Sequence, residues 1–165
     1  MDSLSKVRSV FRKNGCTELY AKILAGNDNA KNQIYFGPNF KALSILPILS
    51  ISKGKGKKSL FGLLDFYWLE NESLLIASNG AKLIFYPQYP EVRFSGFLRG
   101  TNLSYSRLVA EDARIPGRVL FLGVAGKRVI GFVVSAESQV SQEVAELADL
   151  NSDVFVDVGV LSSSN

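Results

Sequence analysis

Short apolar runs broken by glycine, proline and asparagine carry this chain from end to end and leave room for few helices. The clearest pair is Arg118 to Val124 and Arg128 to Ser135, which flank Ala125-Gly126-Lys127 and read as an apolar β-hairpin. Upstream, Thr17 to Ala25 alternates Leu19, Ala21 and Ile23 against Glu18, Tyr20 and Lys22, the period of a strand. Ile34 to Phe36, Ile48 to Ser52, Phe61 to Leu69, Leu74 to Ala77, Lys82 to Tyr86 and Val154 to Leu161 add further strands. Glu70-Asn71-Glu72 reads as a turn, and Asn79-Gly80 is the strongest two-residue hairpin signal. Prolines 87 and 90 bar the following segment from a central strand.

Helices are few. Asp2 or Ser3 caps a first one with Leu4, Val7, Val10 and Phe11 on one side, and Asn14-Gly15 stops it. Short helices are expected over 40–46, closed by Pro47, and over 104–112. A last one over 139–150 carries Val140, Val144, Leu147 and Ala148 at helical spacing. The pattern predicts a mostly-β, α+β domain built as a barrel or pseudobarrel. At 165 residues and 47% hydrophobic, one domain over 1–161 can bury a full core, with 162–165 a linker or frayed end. Trp68 sits in an apolar strand and reads as core.

Missing residue types restrict the chemistry. The chain has no histidine, so no Ser-His-Asp or Cys-His arrangement can form. One cysteine, Cys16, forbids an internal disulfide and all but forbids zinc, and a cytoplasmic setting in a prokaryote fits. No apolar stretch reaches bilayer length, so no membrane partner is expected. No Asp or Glu has lysine two positions on, the spacing at which Mg²⁺-dependent nucleases commonly pair a metal carboxylate with an ammonium. A metal site at Asp65, Glu70 and Glu72 stays open as an alternative, although the two glutamates look like a solvated turn.

Charge is uneven. Residues 1–60 hold eleven Lys/Arg against three Asp/Glu, residues 61–100 three against four, and residues 101–165 five against eight. A basic front with a mildly acidic back fits a one-sided polyanion-binding surface; it also fits a lysine-rich surface that only aids solubility, or a protein-interaction barrel. Lys53 to Lys58 lacks the phosphate-loop spacing and reads as a solvated basic loop.

Two polar segments between strands carry groups that recognise base edges. Asn27, Asp28, Asn29, Asn32 and Gln33 offer paired donors and acceptors, and Lys31 adds charge; asparagine and glutamine can bond adenine, and aspartate cytosine. The same residues also suit an ordinary turn. The second segment is PQYPEVRFSGFLRG, Pro87 to Gly100. Glu91 and Arg93 lie two apart and project to one side of an extended chain, able to read a C·G pair, or equally to form a plain salt bridge. Tyr86, Tyr89, Phe94 and Phe97 can pack that segment or touch thymine methyls.

Ala21-Lys22-Ile23-Leu24-Ala25-Gly26-Asn27-Asp28, followed by Asn32-Gln33-Ile34-Tyr35-Phe36-Gly37-Pro38, resembles the opening strand, first DNA-gripping arm and next strand of the EcoRII-type N-terminal effector domain. Pro90-Glu91-Val92-Arg93 through Arg99-Gly100 is similar to that family's second arm. N-terminal regions preceding MvaI/BcnI-type nuclease domains of type IIE restriction endonucleases are closer still. The resemblance implies an open seven-stranded pseudobarrel of the plant B-three type, with two arms entering the major groove of double-stranded DNA. It implies a CCWGG-like site read without cleavage, by a monomer acting as effector or anchor for a separate C-terminal nuclease domain. No cofactor is implied here, Mg²⁺ being expected only in that other domain. Carried over, Glu91 and Arg93 read bases from the second arm, beside Ser95 and Phe97, and Asn27 to Gln33 read them from the first. Lys22, Lys31 and Arg99 hold phosphates, with Tyr35 close by. The first arm here is shorter than in EcoRII and has no histidine.

Overall fold

The computed structural model describes residues 3–24, 33–36, 45–54, 59–86, 91–102, 118–147 and 155–160. Among these residues it is mostly β with two short helices. Helix α1 (Leu4–Lys13) leads into β1 (Glu18–Ile23), β2 (Ile34–Tyr35), β3 (Ser50–Lys53), β4 (Leu60–Leu63) and β5 (Asp65–Leu69). Then come β6 (Leu75–Ser78), β7 (Lys82–Tyr86), β8 (Glu91–Ser95), β9 (Val119–Ala125) and β10 (Arg128–Val134). Helix α2 (Gln139–Leu147) and β11 (Phe155–Val160) complete the described elements.

Among the described residues eleven strands form two sheets, one of six in the order β11-β1-β9-β10-β5-β6 and one of five in the order β2-β8-β7-β4-β3. All described pairings are antiparallel except β10 with β5. The resemblance implies seven strands; among the described residues there are eleven, and no closed barrel forms.

The molecule is layered as helices, six-stranded sheet, five-stranded sheet. Strand β9 is buried along its whole length because both faces of its sheet are covered. One face packs Leu19, Ala21, Val119, Phe121 and Ile130 against Val7, Val10 and Phe11 of α1 and Val140 and Val144 of α2. The other packs Phe66, Trp68, Leu120 and Leu122 against Ile34, Leu83, Phe85, Val92 and Phe94 of the smaller sheet. Gly123 and Gly131 hold these layers close: a Cβ on Gly123 would strike Phe11 and Cys16, and one on Gly131 would strike Phe66. Helix α1 is tied to α2 where the Leu4 amide donates to Glu143 Oε2 at 2.7 Å.

The Asn79-Gly80 expectation is corrected. Chain reversal occurs at Glu70 to Leu74, where the Glu70 amide donates to the Leu74 carbonyl at 2.8 Å. From that turn two long strands run back together, β5–β4 against β6–β7, and both bend from one sheet into the other. The Leu64 amide bonds the Ala81 carbonyl at the bend. Leu63 pairs with Lys82 and Phe66 with Ser78, so Asn79 and Gly80 together face Asp65. That is a bulge, and Gly80 takes the positive φ of +82° that it requires. Asparagine-glycine serves a bulge as well as a hairpin because both demand the same left-handed backbone. The expected single strand Phe61 to Leu69 is divided at this bend for the same reason.

Other expectations shift. Strand β8 begins just after Pro90 and lies between β7 and β2, so the prolines do not keep it at the edge; none falls within it. Strand β3 starts two residues later than expected, and Leu147 stands half-exposed at the end of α2 instead of packing. Residues 37–44 and 103–117 lie outside the described residues, and with them the helix expected over 104–112 and all but Ile45 and Leu46 of the one over 40–46. Trp68 is core, its Nε1–H donating to the Phe97 carbonyl at 2.8 Å.

Cys16 is buried beneath α1, and burial pushes its thiol up to about 12, partly offset by the positive charge of Arg128. The folded protein therefore holds this proton more tightly than the unfolded chain. The corresponding stabilisation is complete below the ordinary thiol value of 9.0 and is lost as pH rises from there through about 12. An aromatic disulfide reagent at a pH of about 8 should label the thiol only after denaturant is added; rapid labelling of native protein would contradict its burial.

Candidate nucleic-acid interface

One face of the five-stranded sheet packs on the inter-sheet core; the other carries partly exposed side chains around Ile84, which is itself 5% exposed. Because side chains alternate and directly paired residues share a face, the registers place Tyr35, Arg93, Ile84, Phe61 and Ser52 in one row across all five strands. A neighbouring row holds Ser95, Lys82, Leu63 and Ser50. Five strands make this outer face roughly 19 Å wide.

Arg93 is the centre of it. Its guanidinium lies 4.6 Å from the Tyr35 ring centroid and 4.9 Å from that of Tyr86, so two aromatic faces hold it. Its Nη1 donates to Gln33 Oε1 at 3.2 Å. Such contacts restrict the rotation of a long side chain and fix the direction in which its planar fork of donors points. The arrangement suits a flat partner edge with two acceptors, such as guanine O6 and N7, and suits an isolated anion less specifically. From the neighbouring strand β7, Lys82 Nζ rests 4.6 Å from the Phe61 centroid, a second cation held over an aromatic on the same face.

Of the residues the sequence singles out, the structure brings Gln33, Tyr35, Arg93 and Ser95 together. Ser95 is half-buried and pairs with Lys82. Glu91 opens β8 in register with Tyr86. Arg99 is exposed on the turn after β8; its carbonyl accepts from the Asn79 amide at 2.6 Å, which ties that turn to the bulge. Asn27, Asp28, Asn29, Lys31 and Asn32, with Tyr89, lie outside the described residues.

Two of the expected DNA contacts sit elsewhere. Phe97 is 1% exposed, against Trp68 and stacked 5.0 Å from Phe94, so it and Phe94 serve the core and not a thymine methyl. Lys22 is 4% exposed on β1, on the inter-sheet side with Tyr20 and Leu24. At that exposure the side chain offers a phosphate no open approach. The alternation of β1 allowed either face for Lys22; its pairing with Leu120, which a local pattern does not reveal, puts it on the inter-sheet side.

The basic front is also divided. Lys6, Arg8, Arg12 and Lys13 ride on α1, on the far side of the six-stranded sheet from the Arg93 face, while Lys53 lies at the edge of the smaller sheet. Asp65 is half-buried beside the bulge, and Glu70 and Glu72 are exposed in the turn; among the described residues no three His, Cys, Asp or Glu gather to hold a metal ion. The sequence marks Tyr86 only as a packing or methyl-touching ring and does not mark Lys82 at all. The spacing Lys82-Ile84-Tyr86 shows a shared face, but only the register sets it beside Arg93.

No protein-family model matches the chain, and no curated protein is significantly similar to it in sequence.

Proposed function

We propose that this chain binds double-stranded DNA sequence-specifically, with Arg93 at the centre of the contact surface. The observation that carries the proposal is the Gln33–Arg93 hydrogen bond. It joins the end of one polar segment to the middle of the other, with Tyr35 and Tyr86 on either side. Arginine and glutamine are the side chains that pair bidentately with guanine and adenine in the major groove, and here they stand adjacent. Arg93 reads a guanine, Gln33 and the 27–32 segment contribute neighbouring bases, Glu91 accepts from cytosine, and Arg99 contacts a phosphate. Lys22 and Phe97 have no part in it.

On the resemblance to EcoRII-type effector domains, the two sheets and their shared bends form an open pseudobarrel with both polar segments as arms. The site is a CCWGG-like pentanucleotide, bound without cleavage. The domain anchors or activates a separate MvaI/BcnI-like nuclease domain, which supplies the Mg²⁺ chemistry.

Titrating labelled short duplexes over a salt series tests this. Affinity should fall steeply with salt, and a CCWGG-type duplex should bind several kcal/mol more tightly than a scrambled one. Equal affinity for the two duplexes would leave only nonspecific attraction and defeat the proposal.

A further inference from the structure

The smaller sheet ends, among the described residues, at β3, and this edge differs from the rest of the surface. All four residues of β3 are exposed. Large apolar side chains are exposed here: Ile51 is 61% exposed and Leu49 52%, and Leu63, 41% exposed, is paired with Ser50 on the opposite face of the sheet from Ile51. The Gly54 amide donates to the Ser59 carbonyl at 2.9 Å, which sets the phase of the β3–β4 ladder. Ser52 and Ser50, in register with Phe61 and Leu63, turn their backbone groups toward β4; those of Ile51 and Lys53 then point off the edge. Ile51 and Lys53 also share a face, being two apart. Beyond them the chain carries Lys55, Lys57 and Lys58.

We propose that β3 is a docking edge for an extended acidic peptide segment, which adds to the sheet as a further strand. The backbone groups of Ile51 and Lys53 supply the ladder. An apolar side chain of the incoming strand lies against Ile51, and a carboxylate two residues away lies against Lys53, each as a cross-strand pair. Shortness and a lysine are also devices that keep a bare edge from pairing at random. Exposed Leu49 and Ile51 are not, and a nucleic-acid backbone would make no use of them. The edge lies across the sheet from β2, so this site is separate from Arg93 and does not depend on the DNA-binding proposal.

The test uses the full chain and a fluorescent peptide of about eight residues, valine and threonine ending in two glutamates. Anisotropy should report binding, and amide exchange should slow at Ile51 and Lys53. Methylating alternate peptide nitrogens removes ladder donors without touching the protein and should weaken binding by about tenfold or more. Replacing the glutamates with lysine, or making Ile51→Asp in the protein, should do the same. Equal binding of the methylated peptide, protection at residues other than those of β3, or displacement of the peptide from β3 by duplex DNA would each overturn the proposal.

Discussion

Arg93→Ala should weaken binding to the cognate duplex by about 1–3 kcal/mol while leaving a scrambled duplex almost unaffected, so that discrimination at one base pair disappears. The size follows from the fork: the substitution removes both hydrogen bonds of a bidentate arginine–guanine pair, and a methyl group restores neither. Arg93→Lys should recover little of it, because an ammonium keeps the charge but not the planar pair of donors that Tyr35 and Tyr86 hold in place. Thermal unfolding serves as the control. Arg93 lies on the outer face, so its removal forfeits the two ring interactions and the Gln33 bond, about 1–2 kcal/mol together. Retained base discrimination in Arg93→Ala, measured by anisotropy over single-base variants of the duplex, would remove Arg93 from the reading surface.

Gly96→Ala should be the most destabilising single-methyl change in the turn that follows β8. Gly96 has φ +72°, and a Cβ there would collide with the backbone carbonyl oxygen of Gly80. Neither group can swing aside cheaply, since the bulge at Asn79-Gly80 and the 96–100 turn are bonded to each other. The Asn79 amide donates to the Arg99 carbonyl, and Ser78 Oγ donates to the Gly96 carbonyl at 3.2 Å. Left-handed strain and displaced backbone together should cost about 3 kcal/mol, or roughly 10 °C in Tm. Gly126→Ala isolates the first of these. Gly126 has φ +64° but nothing within 4 Å of the added methyl, so only the strain of about 1 kcal/mol remains. Similar Tm losses in the two variants would mean that the bulge and turn do not interlock.

That interlock shows where local pattern ends. Asn79-Gly80 announces a left-handed backbone, and the chain does adopt one; whether it closes a hairpin or bends a strand depends on the pairing of Leu63 with Lys82 and of Phe66 with Ser78, partners distant from the dipeptide. Phe94 and Arg93 are a similar case. Alternation alone says they point oppositely, and they do, one into the inter-sheet core and one out of it. It does not say that Gln33, sixty positions earlier in the chain, will be the arginine's hydrogen-bond partner.

Period-two and helical patterns were enough to announce a mostly-β chain, a first helix with Val7, Val10 and Phe11 inward, and an apolar β9–β10 hairpin, because each is dictated by side chains a few residues apart. The assignment of strands to two sheets, the burial of Lys22, the retreat of Phe97 into the core and the meeting of Gln33 with Arg93 came from long-range pairing. Free energy there is gained by covering one sheet with another, and a local stretch of chain carries no record of what will cover it.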